Sequence, residues 1–445
     1  MRVALADLHA CFEGVIPSII ATVSADGTPN ISYLSHVVMI DDDHIALSNQ
    51  FFAKTAANVR ANPHATLMLV DGNNGTQYTL DIEFQRSVDN GVLFDHIALH
   101  LKASSAQVGM AGIMRLRSAD IFRVHEIRIA KSNAEIRDEV ANRRPAELTA
   151  VARIAEAIDR ATDVGGIMDA LLAGLSSELS CKHALVLLND PAAGVLTTVG
   201  SIGYERSGLG SEVRGENDLI ASAAAHGRPI KVSDMSRVRR MGEAIIHTSG
   251  TDENEARTIA LPRLADAMSQ LAVPIIVRQA VRGVIFVESN ERLAFRDEDV
   301  AAIEILGRQT AAALALSETE AFETIAAPSR QAPSTSYGEP IAITHHAFDD
   351  SIFIGNDYVI KGVAGRLLAY LIDRSISEGR SEFTNREIRL TEALRLPDLK
   401  DNLETRLLLL RRRLEAKGFP IQIVHVGRGR IRLDVAGTPT IRKVD

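Results

Sequence analysis

The chain has 445 residues, 46% of them hydrophobic and 24% charged, with a net charge of −8. That length is too great for one core and that balance excludes a disordered chain. An acidic protein cannot coat nucleic acid or anionic membrane along its whole length, so any nucleic-acid contact has to be local.

Cys11 and Cys181 stand far apart with no Cys-x-x-Cys, a usage that signals neither a disulfide framework nor a zinc site and fits a reducing cytoplasm. The first residues lack a long apolar core, and no later stretch offers the ~20 uncharged apolar residues of a membrane helix. The expectation is a cytoplasmic chain with no export signal and no span. Its predicted class is multidomain α+β: an antiparallel split β-barrel over residues 1–131, an α/β sandwich over 146–319 and a C-terminal winged helix over 341–445.

Residues 18 to 48 alternate β-branched and polar side chains around Ala25-Asp26-Gly27, a turn between two strands, and a second hairpin turns at Asp41-Asp42-Asp43. Lys54 to Arg60 reads as a short helix ended at Asn62-Pro63, before the strand Ala65 to Asp71. A small antiparallel barrel follows from that order. From residue 15 to about 128 it resembles the FMN-binding split barrel of the pyridoxamine 5′-phosphate oxidase-like superfamily. The resemblance implies FMN as cofactor, with its phosphate on Ser48, Lys54 and Thr55, and a homodimer, because such barrels bind flavin at a dimer interface. A helix N-terminus beside one ammonium is a sound anion site, although a solvated first-turn lysine is the alternative reading of Lys54. Asn49 and Gln50 could donate to the flavin ring or ribityl chain. His36, His96 and His100 show no metal-like convergence and are expected as core or surface histidines, and Cys11 as a buried small hydrophobe.

Within residues 132–160, Leu148, Val151, Ile154, Ala155 and Ile158 recur at helical spacing, which predicts a helix joining the first two modules. Helix, hairpin, helices, hairpin and helix then follow through residue 319, an α+β sandwich with a central antiparallel sheet. The hairpin Leu271 to Asn290, followed by Phe295-Arg296-Asp297-Glu298-Asp299 at the start of the last helix, resembles the GAF domain. That implies a pocket for a small ligand, which no signature identifies. The three carboxylates suit the first turn of a helix. Cys181, His183, His226 and His247 are irregularly spaced, and no metal is assigned to them. The polar insert from Ser236 to Met268 reads as a lid over the pocket.

Pro, Ser, Thr and Ala make residues 320–340 a linker. Beyond it come short strands around Gly355-Asn356, a helix with Val363, Leu367, Leu368, Tyr370 and Leu371 on its apolar side, and a second helix after Thr384. In the third helix, Asn402 to Lys417, Leu403, Leu407, Leu410 and Leu414 form a single buried stripe. A hairpin with the tip Gly427-Arg428-Gly429-Arg430 closes the module, and from Lys400 onward eleven Lys and Arg stand against five Asp and Glu. That local excess is the footprint of a phosphate-facing surface. The segment resembles the OmpR-type winged helix, which implies double-stranded DNA as partner, Arg406, Arg411 and Arg412 on the recognition helix, and Arg428 and Arg430 on the wing. Leu408 and Leu409 depart from that pattern, standing near positions of base-readers; they could meet thymine methyls or another protein. A solvated helix face is the alternative for the arginine run.

The leading functional expectation is a ligand- or redox-responsive transcriptional regulator, homodimeric, in which the helices at 132–160 and 297–320 act as levers between modules. The alternatives are a flavin-dependent oxidoreductase, for which no catalytic residue is assigned, and a protein-binding scaffold using Leu408 and Leu409.

Overall fold

The computed structural model describes residues 3–34, 36–50, 53–107, 115–130, 145–190, 193–215, 218–235, 257–323, 339–394, 403–427 and 429–444. In the first module, β1 (Ser18–Val23) and β2 (Pro29–Leu34) form the first hairpin, and β3 (Val37–Met39) and β4 (His44–Asn49) the second. Helix α1 (Ala53–Ala61), β5 (His64–Val70), β6 (Gln77–Val88), α2 (Val92–Gln107) and β7 (Ser118–Ile129) follow. All pairings are antiparallel, in the order β2-β1-β5-β6-β7-β4-β3. This curled half-barrel wraps around Ile20, Leu67, Leu80, Ile82 and Phe122, with Leu5, Leu8 and Cys11 packed in from an N-terminal 3-10 turn. Cys11 is buried as expected, and burial, with the Asp71 charge nearby, pushes its thiol up to about 12, so it stays protonated. β6 and α2 are additions to the predicted elements.

The middle module runs α3 (Leu148–Arg160), α4 (Val164–Ser177), β8 (His183–Asp190), β9 (Val195–Ile202), β10 (Glu212–Val213), α5 (Leu219–His226), β11 (Ile230–Val232), β12 (Ser269–Val277), β13 (Ala280–Ser289) and α6 (Asp297–Glu323). Its antiparallel sheet has the order β10-β9-β8-β13-β12-β11. Helices α3, α4 and α6 bury one face through Ile154, Leu171, Leu175, Ile303 and Leu306, and α5 lies over the other with Ile220 and Ala223 against Phe286. Of the stripe predicted for α3, Val151, Ile154 and Ile158 are buried and Ala155 is partly so, whereas Leu148 at the helix start is exposed. Asp163 caps α4 by accepting from the Gly166 N–H at 2.7 Å. Asp299, in the first turn of α6, accepts from the N–H groups of Ala146 and Arg296, the helix-start role expected of it. Among the described residues α6 is long and apolar enough to cross a membrane by length and composition, yet Ile303, Leu306, Ala311 and Leu314 pack into the sheet core. It also continues through Glu323, so helical structure reaches into the Pro/Ser-rich stretch.

The third module opens with β14 (Pro340–His346), β15 (Ser351–Ile354) and β16 (Asp357–Ile360), followed by α7 (Gly362–Glu378), β17 (Glu382–Thr384), α8 (Asn385–Arg389) and α9 (Leu403–Ala416). It ends in β18 (Ile421–Gly427), β19 (Arg430–Val435) and β20 (Thr438–Val444). β20 returns to pair in parallel with β14, and β17 joins the β18–β19 hairpin in a three-stranded sheet. Thr384 caps α8 by accepting from the Glu387 N–H. Leu403, Leu407, Leu410 and Leu414 form the buried stripe of α9, but Leu408 and Leu409 are buried too, at 5% and 7% exposure. A helix buried all round has a second partner.

Candidate functional sites

Beneath α1 lies a polar seat built from both sides of the β1–β2 hairpin. Thr55 Oγ1 is 2.8 Å from Ser32 Oγ and accepts from Asn30 Nδ2 at 3.1 Å, while Asn58 Nδ2 donates to Thr22 Oγ1 at 3.1 Å. Asn30 and Ser32 sit two apart on β2 and so share one face of the strand. Of the residues expected on a phosphate, Lys54 is exposed at the start of α1, Thr55 is buried in this seat, and Ser48 is turned away to accept from the His36 N–H at 3.2 Å. Asn49 donates to Asp120 at 3.1 Å; Gln50 is buried, and its Nε2 has no acceptor among the described residues. Thr22, Asn30, Ser32 and Asn58 were not among the expected residues. Their signal is a polar alternation on two strands facing a helix.

In the middle module, the far face of the sheet is covered by the last part of the predicted lid, residues 257–268; residues 236–256, His247 among them, lie outside the described residues. Leu261 packs against the apolar cluster around Phe286, the Arg263 guanidinium lies 4.9 Å over the Phe286 ring, and Arg263 pairs with Asp218 at 2.5 Å. Under that segment is Glu288, 1% exposed, accepting from Tyr204 Oη, Leu264 N–H and Gln270 Nε2 at 2.8, 3.0 and 2.7 Å. Three donors satisfy this buried carboxylate. Burial, with Glu288 facing it, pushes the Tyr204 phenol up. Cys181 and His226 bond to backbone carbonyls and His183 packs on Tyr204; no metal-binding group of His, Cys, Asp or Glu occurs among the described residues.

Helix α9 is where the expectation and the structure differ most. The Arg406 guanidinium, its side chain 8% exposed, pairs with Asp190 at the end of β8 at 3.1 Å. Arg412 donates to the Val199 carbonyl at 2.6 Å, to the Gly165 carbonyl at 3.3 Å and to Asp169 on α4. Leu408 enters the core cluster of the middle module, and Arg411 lines a cleft with Asp163, Gly165, Glu404 and His425. For Arg406 and Arg412 a solvated face is therefore overturned, because the middle module supplies carboxylates and carbonyls in place of water. Burial holds Arg412 below the ordinary guanidinium value although Asp169 opposes this. Arg430 is half-exposed at the hairpin tip, and Arg428 lies outside the described residues.

Residues 6–123 match the pyridoxamine 5′-phosphate oxidase family and residues 161–315 match the GAF domain family. The chain carries a pyridoxamine 5′-phosphate oxidase-like domain and a GAF domain. Among solved structures, the chain is similar to the GAF domain of an Acinetobacter phosphoenolpyruvate-protein phosphotransferase, at 17% identity over 40% of this chain and 97% of that one, with a TM-score of 0.32. It is also similar to an FMN-binding protein from Syntrophomonas wolfei, at 19% identity over 28% of this chain and 88% of that one, TM-score 0.25. A third likeness is to free methionine-R-sulfoxide reductase from Neisseria meningitidis, at 14% identity over 38% and 89%, TM-score 0.30. No curated protein matches the chain. An oxidase-like domain joined to a GAF domain supports a role in sensing or signalling.

The oxidase-like domain sits against the GAF domain through α2, whose Leu99 joins the GAF cluster around Phe286. Beside it Lys231 of β11 pairs with Glu13 at 2.6 Å, both side chains nearly enclosed, and reaches Asp297 at 3.0 Å. Ser233 donates to the other Glu13 oxygen at 2.6 Å. His36, His96 and His100, expected as core or surface histidines, pack on one another: the rings of His36 and His100 stack at 5.8 Å and those of His96 and His100 meet at 4.5 Å. Burial and the His96 charge hold His36 down to about 4, and burial lowers His96 and His100 too, with Arg228 and Lys231 adding to it. These rings are neutral near pH 7.

Proposed function

We propose that the chain is a ligand- or redox-responsive transcriptional regulator whose third module is a winged helix that binds duplex DNA. The observation that carries this reading is the module's order: a strand layer, helices α7, α8 and α9, and a basic hairpin, with Arg406, Arg411 and Arg412 on α9 and Arg430 at the hairpin tip. A third helix in a major groove with a hairpin on the flanking backbone uses basic residues at those places. The oxidase-like and GAF domains are then the sensors, and a homodimer would present two such helices to two half-sites.

The first domain is proposed to hold FMN. Its residues fit in part: Lys54 is open at the first turn of α1 and the buried Gln50 Nε2 lacks an acceptor, as a flavin-facing donor would, whereas the Thr55 hydroxyl is already engaged by Ser32 and Asn30. Bound FMN would supply redox chemistry, making the domain a redox sensor. The match to the oxidase family favours one other reading, a flavin-dependent oxidoreductase regulated by the later modules.

The test is retention of duplex DNA by the purified full chain at about 50 mM and about 200 mM salt, together with its visible spectrum. Salt-sensitive retention is expected. Yellow absorbance with no DNA retention at the lower salt, even after Asp169 and Asp190 on the GAF domain are both changed to Asn, would reject the regulator and favour the oxidoreductase.

A further inference from the structure

We infer that the structure is the closed state of an autoinhibited regulator, in which the GAF domain masks α9 and the segment over the GAF sheet latches the third module in place. The inference rests on the DNA-binding reading of α9 and extends it to how that surface is controlled.

Two sets of contacts carry it. The first is the seat of α9 itself. Arg406 and Arg412, two of the three arginines assigned to the recognition helix, spend their guanidinium donors on Asp190, Asp169 and the carbonyls of Val199 and Gly165. Those donors cannot meet phosphate or base edges at the same time. Leu408 is buried in the GAF core cluster, so a duplex can reach this face only after the helix leaves. The approach is close: a Cβ on Gly200 would come within 2.9 Å of Arg412 Nη1.

The second set joins residues 257–264, over the GAF sheet, to the third module. Arg257 pairs with Asp349 at 3.4 Å and lies 4.8 Å over the Phe348 ring, while a few residues on, Leu261, Arg263 and Leu264 cover the GAF sheet through Phe286, Asp218 and Glu288. One short stretch of backbone therefore holds both the cover of the sheet and the third module. A small molecule entering between the sheet and Leu261–Leu264 has to displace that stretch, and displacement withdraws Arg257 from Asp349. The ligand then binds the open arrangement better than the closed one, which is the differential affinity a switch needs.

When only the open fraction binds, the apparent affinity for DNA falls by that fraction. Asp169→Asn with Asp190→Asn removes both acidic partners of α9, leaves every residue assigned to DNA untouched, and is expected to tighten duplex binding by the full chain about tenfold at fixed salt. Glu156→Gln with Asp159→Asn on α3 makes the same change in net charge away from α9 and should leave binding unchanged. The converse measurement uses Arg257→Cys with Asp349→Cys, joined by a cleavable bis-maleimide, which should weaken DNA binding until the linker is cut. If the wild-type chain binds duplex DNA and neither the Asn pair nor the crosslink alters its affinity, the mask is refuted while the DNA-binding reading stands. If no form, including the Asn pair, retains duplex at low salt, the DNA-binding reading itself falls and the mask with it.

Discussion

The GAF domain is gripped on two sides, and the two grips are built differently. Toward the oxidase-like domain the ion pair Glu13–Lys231 is enclosed on both partners, at 13% and 12% exposure, and is flanked by Leu99. Toward α9 only the cations are enclosed: Arg412 is 11% exposed while its partner Asp169 is 68% exposed. Removing one partner of a pair that water reaches on one side costs little, whereas removing one partner of a doubly enclosed pair leaves an unpaired buried charge. The pair at the first seam is the costlier to break and that at the second the cheaper.

The largest effect expected from this contrast is at the first seam. Lys231→Met leaves Glu13 buried without its cation and should cost about 3–5 kcal/mol in urea unfolding of the full chain, with Glu13→Gln on top recovering part of it. A loss below about 1 kcal/mol would show that water reaches this pair as easily as it reaches Asp169.

Next comes Leu408→Ala, which empties a side-chain volume between α9 and the GAF core and should cost about 2–4 kcal/mol if the helix stays seated. A much smaller loss, read by the same unfolding experiment, would mean that the helix already spends much of its time away.

The seams should also answer to pH in opposite directions. At the first, the lowered His36, His96 and His100 bind fewer protons folded than unfolded, so their contribution is complete above about pH 6.5 and is lost as pH falls, for His36 toward about 4. Beside the second, His425 is raised, first by its hydrogen bond to Glu404 across 3.5 Å, so its contribution is complete below the ordinary histidine value and fades as pH rises through the raised one. Thermal melts monitored at both seams, by a fluorophore on each side, should shift by a few degrees with opposite sign. Parallel shifts would remove the contrast.

The smallest effect is Asp169→Asn alone, below about 1 kcal/mol, because its carboxylate is largely solvated. A calorimetric melt that drops as far as for Lys231→Met would mean that both grips are of one kind.

Much of the architecture is legible in the chain, because it follows from local pattern. The β1–β2 turn at Asp26-Gly27, the β12–β13 hairpin, the stripe Val151, Ile154 and Ile158 and the leucine repeat of α9 are each encoded within a few turns or strands of their own residues. Strand β6 is missed although Tyr78, Leu80, Ile82 and Phe84 alternate along it. The sites are less legible, since they join distant segments: Glu13 to Lys231, His36 to His100, and Arg412 to Asp169. One signal is present in the sequence. Leu408 and Leu409 fall out of phase with the buried stripe, and a helix with leucines on two sides has two surfaces to cover. What covers the second cannot be read from spacing.

The backbone under α9 is bare at Gly165 and Gly200. A methyl group on Gly165 would press on the tip of the Arg411 side chain, which can swing aside, and would touch Leu408 at 3.2 Å. On Gly200 it would meet the ends of two side chains, Leu172 at 2.7 Å inside the GAF domain's own core and Arg412 at 2.9 Å. A side chain at either glycine therefore bears on the seat of α9, at Gly165 through Arg411 and Leu408 and at Gly200 through Arg412, but at Gly200 it also presses on the GAF core through Leu172. Under the mask proposed above, Gly165 is the position at which a single substitution would shift how long α9 rests in its seat without replacing any residue proposed to sense a ligand or to meet DNA.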